Sequence, residues 1–461
     1  MKYILKTTIL LFLLQITFLS FSQNNKVEKS YYRDSIVSYE AWYGKDNLKD
    51  SVKTYYNTGS QKEVFYFDDN DKIHGICFQF DQQKNKMVEW KFKHGKLKSR
   101  KDFLLDFNKK NKAQVRKNIN TLKSINEKTN FNPKSLKDFY IRAGARMRLE
   151  NTFLALLDFQ KVERFLNQKS ESIEVSKQFK SNLYDKLGST YATFENKNLA
   201  ISYKLKAIQF QPHKSVYKYN LGSFFYQIKE YQLAISYLER VIAKNKNHDF
   251  ANWIFGAIYS DLEQYEKALK HINIAIDRED HLYEHSIGKA ELDLRTIRGL
   301  VYHKLGETEK GILDLKEALN INKNNSFAHR NLGVVYYENK EYDLACTHLQ
   351  KAKELNYEKK HDRNDLNIFL ESACNKKEIV LIQKDKQPFI YPNPTKDILY
   401  IKNYDEASFN YKIYNHYSKL IQKGVSSETS FNISSLPKGL YILKISDLEN
   451  KESKSFKIIK E

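Results

Sequence analysis

Cysteine is scarce in this sequence, and long apolar runs are nearly absent. The chain has three cysteines, Cys77, Cys346 and Cys374, and this odd number excludes a framework in which every cysteine is paired. Cys346 and Cys374 lie near the end of one region and could meet, but buried thiols are the favoured interpretation. Beyond the first 22 residues no apolar run approaches the roughly 20 residues that a membrane-spanning helix needs, which argues against an integral membrane protein.

The motifs that mark an enzyme centre are also missing. The sequence has no glycine loop that cradles phosphate, no Gly-x-Ser-x-Gly, no paired-cysteine zinc spacing and no nucleophile with a placed base. The segment His281-Leu282-Tyr283-Glu284-His285 has the His-x-x-Glu-His spacing of inverted zinc peptidases, and a helix would put both histidines on one face. It lies in a short insertion rather than a peptidase domain, so a solvated loop is favoured. No catalytic residue, cofactor or metal ligand is predicted.

The balance of charge is strongly basic, at +21 over 461 residues. Lysines supply most of this charge and are spread over every region, without a face that combines arginine with aromatic side chains. Because a dispersed positive charge is a weak signal for nucleic-acid binding, no nucleic-acid partner is predicted. The length exceeds what a single hydrophobic core serves and indicates two to four domains.

The first 22 residues have the features of a secretory signal peptide. Two lysines give a positive start, residues 9–21 are mostly apolar, and Ser20 and Ser22 are small residues at the two positions that a signal peptidase inspects. Cleavage between Ser22 and Gln23 is therefore predicted. An uncleaved anchor is the less favoured alternative, since the apolar run is short.

One pattern recurs five times between residues 181 and 357. Each copy has a small residue, an aromatic three positions later, a small residue nine positions after that, and a further small position seven later. Successive copies are 34 residues apart, except for one interval of 43, and such a period is the signature of a repeat array. The leading pairs are Gly188 with Tyr191, Gly222 with Phe225, Gly256 with Tyr259, Gly299 with Tyr302, and Gly333 with Tyr336.

Each copy predicts a helical hairpin. Apolar residues recur at helical spacing in two runs, as at Leu221 and Phe225 before a polar turn and Leu238 and Ile242 after it. Small residues permit a close crossing of the two helices, and the aromatic fills the space between hairpins. One hairpin cannot bury its apolar face alone, so neighbours must stack.

These copies resemble tetratricopeptide repeats, with the family positions matched by Leu187-Gly188, Leu221-Gly222, Phe255-Gly256 and Leu332-Gly333. A degenerate earlier copy is indicated at residues 136–165. The resemblance implies an α-solenoid in which the first helix of each hairpin lines a concave groove, suited to an extended peptide or a partner's helix. The exposed groove positions that it assigns are Tyr219, Tyr226, Trp253, Ser260, Thr296, His303, Arg330 and Tyr337.

Residues 31–103 change to the two-residue alternation of β-strands. Aromatic-rich runs around Phe65, Phe78 and Trp90 are separated by polar turns, which predicts a small antiparallel meander. The segments Tyr55-Tyr56-Asn57-Thr58-Gly59 and His94-Gly95-Lys96-Leu97 resemble turns of the variant MORN repeat. Burial of the aromatics against a neighbour is favoured, whereas exposed aromatics would indicate a site for glycan or protein.

The composition changes again after a charged linker. Four alternating runs at the spacing of a sandwich predict a separate β-domain. Its landmarks are Tyr391-Pro392-Asn393-Pro394 and Leu436-Pro437-Lys438-Gly439, followed by a closing strand. In this order they resemble the type A sorting domain of the type IX secretion system of Bacteroidota. The resemblance implies an immunoglobulin-like sandwich that the outer-membrane machinery reads and removes, with the cargo often fixed to surface lipopolysaccharide.

Together the segments predict a multidomain α plus β protein. Its expected function is that of a secreted or outer-membrane-surface interaction scaffold, exported via the periplasm and without enzymatic activity. A cell-surface glycan-binding module is the alternative, and a metal-dependent hydrolase is less favoured. The predicted segments are a signal peptide at 1–22, a MORN-like meander at 23–105, a helical connector at 106–135, a repeat array with a cap helix at 136–376, a linker at 377–387 and the sorting domain at 388–461.

Overall fold

The computed structural model describes residues 26–31, 36–82, 84–103, 109–130, 133–168, 175–279, 293–361, 363–376, 388–404, 408–448 and 453–461. The predicted signal peptide with its cleavage site at Ser22 and Gln23, the segment from His281 to His285 and the linker at 377–387 lie outside these residues. The chain divides into two compact units, one of Met1–Val175 with Lys186–Ala200 and the other of Ser176–Asp185 with Ile201–Glu461.

Seven antiparallel strands form one sheet in the first unit, paired in chain order. Side chains alternate between the two faces, so residues that are paired across neighbouring strands line one core. Ala41 pairs with Val52, Val52 with Phe65, and all three are fully buried. The strands are β1 Val27–Tyr31, β2 Val37–Tyr43, β3 Lys49–Tyr55, β4 Gln61–Tyr66, β5 Gly75–Phe80, β6 Lys86–Lys93 and β7 Lys96–Asp102.

A helical hairpin packs against the core face of this sheet. Helix α1 spans Lys109–Thr129, and helices α2 (Leu136–Arg148) and α3 (Thr152–Asn167) form a hairpin where the degenerate copy is predicted. Phe153 at the start of α3 packs on Phe65, with 5.0 Å between ring centroids. The aromatic core face of the meander is therefore buried, in agreement with the favoured interpretation.

The repeats form successive helical hairpins. The first pairs α4 (Lys177–Thr193) with α5 (Lys197–Phe210), and the others pair α6 with α7, α8 with α9, α10 with α11, and α12 with α13. An added Cβ at Gly222 would lie 2.9 Å from Leu238 Cγ, and one at Gly256 only 2.3 Å from Ile272 Cγ1. Only glycine permits this approach. The helices are α6 Ser215–Gln227, α7 Tyr231–Ile242, α8 Asp249–Asp261, α9 Tyr265–Ile276, α10 Arg295–Lys304, α11 Thr308–Ile321, α12 Ser326–Glu338 and α13 Tyr342–Glu354.

Each hairpin turn uses one residue with positive φ. In the second hairpin this is Lys229 (φ 60°), and the next amide, of Glu230, donates to the carbonyl of Phe225 at 2.9 Å. This bond closes the end of the first helix on the repeat's aromatic residue. The equivalent turn residues are Glu195, Glu263, Gly306 and Lys340.

A cap segment follows the last hairpin. It comprises α14 (Tyr357–His361), residues 363–365 and α15 (Leu366–Cys374). Leu366, Leu370 and Ala373 of α15 are buried in the same core cluster as residues of α12 and α13.

The cap segment is covalently attached, because Cys346 of α13 and Cys374 of α15 form a disulfide with a Cα–Cα distance of 4.9 Å. The preference for buried thiols is wrong for this pair. α15 packs back along α13, which brings two cysteines 28 residues apart into contact, whereas Cys77 is free and buried.

The C-terminal β-domain consists of two antiparallel sheets, ordered β11-β10-β13-β14 and β12-β9-β8. Side chains between them form a core that includes Leu399, Ile413, Leu443 and Ile458, as in an immunoglobulin-like sandwich. The strands are β8 Phe389–Tyr391, β9 Ile398–Lys402, β10 Phe409–Asn415, β11 Leu420–Ser426, β12 Ser430–Asn432, β13 Gly439–Ser446 and β14 Ser453–Lys460.

Within the described residues, every helix is too short or too polar to traverse a lipid bilayer.

Candidate interaction groove and sorting domain

The predicted groove positions of the second hairpin are half-buried aromatic rings on α6. Tyr219 stacks on His248 with 5.2 Å between ring centroids, and Tyr226 stacks on Tyr231 at 6.2 Å. Burial raises the pKa of each tyrosine, Tyr219 and Tyr226, to about 12. Both rings therefore combine contacts inside the array with some remaining surface.

The third hairpin contributes Trp253 and Ser260 from α8. Trp253 is half-buried and packs against the apolar cluster that contains Ala268 and Ile272. Ser260 is also half-buried, one residue before Asp261, where the helix ends. The four positions on α6 and α8 present a surface that is mainly aromatic.

In the fourth hairpin the side chains at the predicted positions are already bonded to other residues of the array. Thr296 is only 5% exposed and its hydroxyl donates to the carbonyl of Asp293 at 2.7 Å. His303 is hydrogen-bonded through Nδ1 to Thr308 and through Nε2 to Glu338 at 3.0 Å. The prediction that Thr296 is exposed is therefore wrong, because it helps to start α10.

In the fifth hairpin the cap segment covers both predicted positions. Arg330 is 8% exposed, donates to Asp365 and stacks on Phe369, with 5.5 Å from the guanidinium carbon to the ring centroid. Tyr337 meets the same Phe369 edge-on at 5.8 Å. The prediction that Arg330 is exposed is wrong as well, since the cap segment folds onto α12.

The cap segment also reaches the third hairpin. Arg363 donates to Asp261 at the end of α8, and Tyr231 donates its hydroxyl to the same carboxylate at 2.6 Å. The Arg363 guanidinium lies 5.5 Å from the ring centroid of Phe327 on α12. One short stretch of chain thus contacts the first helices of two hairpins through ion pairs and stacked rings.

The Asn393 side chain of the predicted sorting motif hydrogen-bonds to the backbone of strand β14, as a neighbouring strand would. Its Nδ2 donates to the carbonyl of Lys457 at 2.6 Å, while its Oδ1 accepts from the amide of Ile459 at 2.9 Å. Thr395 continues the pairing, because its amide donates to the carbonyl of Ile459 at 2.9 Å. The flanking bonds Tyr391-Pro392 and Asn393-Pro394 are cis. This motif attaches the domain's entry to its last strand.

Gly439 begins strand β13 and pairs with Lys460. Its φ of 153° is a conformation that residues with a Cβ rarely adopt, although no atom lies within 4 Å of an added Cβ. The requirement for glycine is therefore one of backbone conformation. Nearby, the Tyr441 hydroxyl donates to the carbonyl of Pro437 at 2.8 Å and closes the preceding turn.

Both regions match known protein families. Residues 389–461 match the model of a secretion system C-terminal sorting domain. Residues 216–248 match a tetratricopeptide repeat and residues 299–340 match a TPR repeat. The chain carries tetratricopeptide repeats and a C-terminal type IX sorting domain. This domain indicates export to the cell surface or the medium, and the repeats indicate protein partners.

Three solved structures are similar to part of this chain at low sequence identity. The Cut9-Hcn1 tetramer of the APC/C is 17% identical over 56% of this chain (TM-score 0.43), and the match covers 46% of that protein's length. MamA from Desulfovibrio magneticus is 21% identical, over 40% of this chain and 98% of its own (TM-score 0.33). A tetratricopeptide repeat protein from Parabacteroides merdae is 14% identical, over 57% and 94% (TM-score 0.40). No curated protein matches the chain.

The first unit has a basic cavity that sequence reasoning missed. About 1030 Å³ in volume, it lies between the sheet and helices α2 and α3. On its wall the buried Arg142 and Arg146 both donate to Asp158, at 2.7 to 2.8 Å. Burial, followed by repulsion from Arg142, lowers the pKa of Arg146. Two guanidinium groups against one carboxylate leave this wall positive.

Proposed function

We propose that this protein is an exported interaction scaffold that binds an extended peptide or a partner's helix on α6 and α8 of its tetratricopeptide-repeat array. The half-buried aromatic surface formed by Tyr219, Tyr226 and Trp253, with Ser260 beside it, supports this proposal most directly. Aromatic side chains release the most binding energy when a partner covers them.

The cap segment indicates what kind of ligand this surface accepts. Arg363 reaches Asp261, and Phe369 lies beneath Arg330, so the array holds a piece of its own chain by ion pairs and ring stacking. A partner segment that carries aromatic and charged side chains at helical spacing would use the same chemistry. The predicted positions of the fifth hairpin, Arg330 and Tyr337, are already covered, which directs a partner to the half-buried rings on α6 and α8.

Site-specific photo-crosslinking in the native host tests this proposal. A photoreactive amino acid at Trp253 should capture a defined partner, identified by mass spectrometry. The same group at Leu313 is the matched control, because Leu313 is 67% exposed on the second helix of its hairpin. Equal capture at both positions, or no capture at Trp253 by a normally exported chain, would refute groove binding.

A glycan-binding surface on the N-terminal sheet is the second candidate. Tyr66 is 43% exposed and Ile76 is 45% exposed on the face opposite the core, where the half-buried rings of Phe78 and Phe80 lie 6.0 Å apart. Exposed rings of this kind stack on sugars. A glycan array with the full chain tests this function, and Tyr66→Ala with Phe78→Ala should abolish any signal that depends on the sheet.

We also propose that the exported protein is fixed to surface lipopolysaccharide after the sorting domain is removed. The sorting domain supports this hypothesis, which predicts heterogeneous, heavier species on a denaturing gel. A single sharp band from the surface fraction would contradict it.

The repeat fold itself is typical of a non-enzymatic scaffold.

A further inference from the structure

Two connections between strands lie side by side at one end of the seven-stranded sheet. The connection from β4 to β5 contains Asp68, whose Oδ1 accepts from the amides of Asn70 and Lys72 at 3.0 and 3.1 Å. These bonds fix the orientation of a carboxylate that is only 13% exposed. The turn from β6 to β7 packs beside it, because the amide of Gly95 donates to the carbonyl of Ile73 at 2.8 Å.

Each of these two segments supplies one histidine. The dipeptides His74-Gly75 and His94-Gly95 are 20 residues apart in the chain, and the meander brings them together. Their rings lie 4.7 Å apart between centroids. His94 has a φ of 47°, a left-handed conformation that turns its side chain toward the neighbouring connection.

The three side chains present their ligand atoms to one point. His94 Nδ1 is 2.7 Å from Asp68 Oδ2 and His74 Nδ1 is 3.8 Å from the same oxygen, and one ligand atom from each residue lies within 4.8 Å of the others. Tetrahedral zinc, with bonds of about 2.0 to 2.1 Å, holds its ligands about 3.4 Å apart. Small side-chain adjustments therefore suffice to surround an ion.

We propose that Asp68, His74 and His94 bind Zn²⁺. Two imidazoles and one carboxylate suit this ion, whereas calcium and magnesium prefer oxygen ligands alone. The His94 amide lies 3.3 Å from His74 Nδ1, and the ion replaces this long hydrogen bond. With the His74 and His94 side chains 40% and 56% exposed, the fourth position is open to water or to a partner's side chain.

The site is separate from the groove on α6 and α8, so the proposal stands or falls independently of the proposed function.

Isothermal titration of the metal-free, untagged mature chain with Zn²⁺ tests this site. Every protein in the series carries His281→Ala and His285→Ala, which removes a pair of histidines whose spacing in the sequence suits zinc, and His348→Ala, which separates the His329 and His348 Nδ1 atoms that lie 2.9 Å apart. The variants are Asp68→Asn and His94→Asn. Asparagine at position 68 keeps the oxygen that accepts the turn amides, and asparagine tolerates the positive φ at position 94. Asp71→Asn, in the same connection but paired with Lys49, is the matched control.

We expect one Zn²⁺ per chain, at least about tenfold weaker binding in each variant, and binding within about twofold of the parent in the control. Substituting Co²⁺ should give visible absorption typical of tetrahedral nitrogen and oxygen ligands, which the variants lose while their circular dichroism is unchanged. A parent chain that binds no zinc, or equal binding by parent, Asp68→Asn and His94→Asn, would overturn the assignment.

Discussion

Glu63 lies in the core of the N-terminal sheet, fully buried, and accepts a hydrogen bond from the Thr54 hydroxyl at 3.0 Å. Burial raises the pKa of its carboxyl to about 7, against an opposing effect of Lys62, Thr54 and the Phe153 amide. The folded protein therefore holds this proton at a pH where the unfolded chain has lost it. Stability falls as pH rises from about 4.5 through 7, by up to about 3 kcal/mol.

Glu63→Gln removes this ionisation and should make the protein more stable than wild type at pH 8, but not at pH 5. Thermal unfolding followed by circular dichroism at both pH values measures the difference. Glu266→Gln is the control, because the Glu266 side chain is exposed on α9, outside the sheet, and its stability difference from wild type should be the same at both pH values. The same stability difference for Glu63→Gln at pH 5 and pH 8 would contradict the raised pKa.

Individual side chains are where sequence reasoning was weakest. The positions assigned to the groove include Thr296 and Arg330, and both are buried in the structure. Exposure of Arg330 depends on whether the cap segment folds back onto α12. The local sequence pattern does not show this. The Cys346–Cys374 disulfide was missed for the same reason, since the distance between the thiols depends on how α15 packs on α13.

At the scale of single helices, the glycines at which the two helices of a hairpin cross set the distance between those helices. Gly256→Ala places a methyl group 2.3 Å from Ile272 Cγ1, so we expect a loss of about 1 to 3 kcal/mol in unfolding free energy. Gly144 is the matched control on α2, because an added Cβ there meets only the end of Arg148 at 3.8 Å.

Gly144→Ala should stabilise the protein by about 0.5 to 1 kcal/mol, because alanine restricts the unfolded chain and favours helix. Chemical denaturation of both variants gives the two free energies. Changes of the same sign would show that the glycines do not act through helix crossing.

The disulfide joins the cap helix to the last hairpin. Closing a loop with a sequence separation of 28 contributes about 3 to 4 kcal/mol in the chain-entropy model. We expect a reductant to lower the melting temperature of the wild-type array and to leave a Cys346→Ser, Cys374→Ser double variant unchanged. A reductant effect of equal size in the double variant would point to another cause.

The repeat hairpins were predictable because their geometry demands particular residues at fixed intervals. A small residue must occupy the crossing, as Gly222 does, and a buried aromatic ring, as at Phe225, must fill the space between the helices. The path of the chain after α13 could not be predicted from the sequence. Leu366 and Leu370 have the same helical spacing whether or not α15 packs on α13.

For the whole molecule, the central question is whether the C-terminal domain acts only in export. Arg240 donates to the Glu461 carboxylate at 2.5 Å and Lys457 donates to Glu230, which join this domain to the second hairpin. Partly exposed ion pairs contribute at most about 1 kcal/mol each. Removing the domain should therefore leave the array folded, with its melting temperature nearly unchanged.

The family resemblance of this domain was visible in the sequence because the fold requires particular residues in its motifs. Asn393 must both donate to and accept from strand β14, and Gly439 must adopt a φ of 153°. The metal-ligand cluster was not visible, because Asp68 and His94 are 26 residues apart and meet only after the strands pair.

Fractionation of the native host tests the central claim most directly. Cells expressing the full chain, or a chain that lacks residues 388–461, are separated into periplasm, surface and medium, and an antibody to the array detects the protein. We expect the full chain at the surface or in the medium without its sorting domain, and the truncated chain folded in the periplasm. A truncated chain that reaches the surface as efficiently as the full chain would contradict the account.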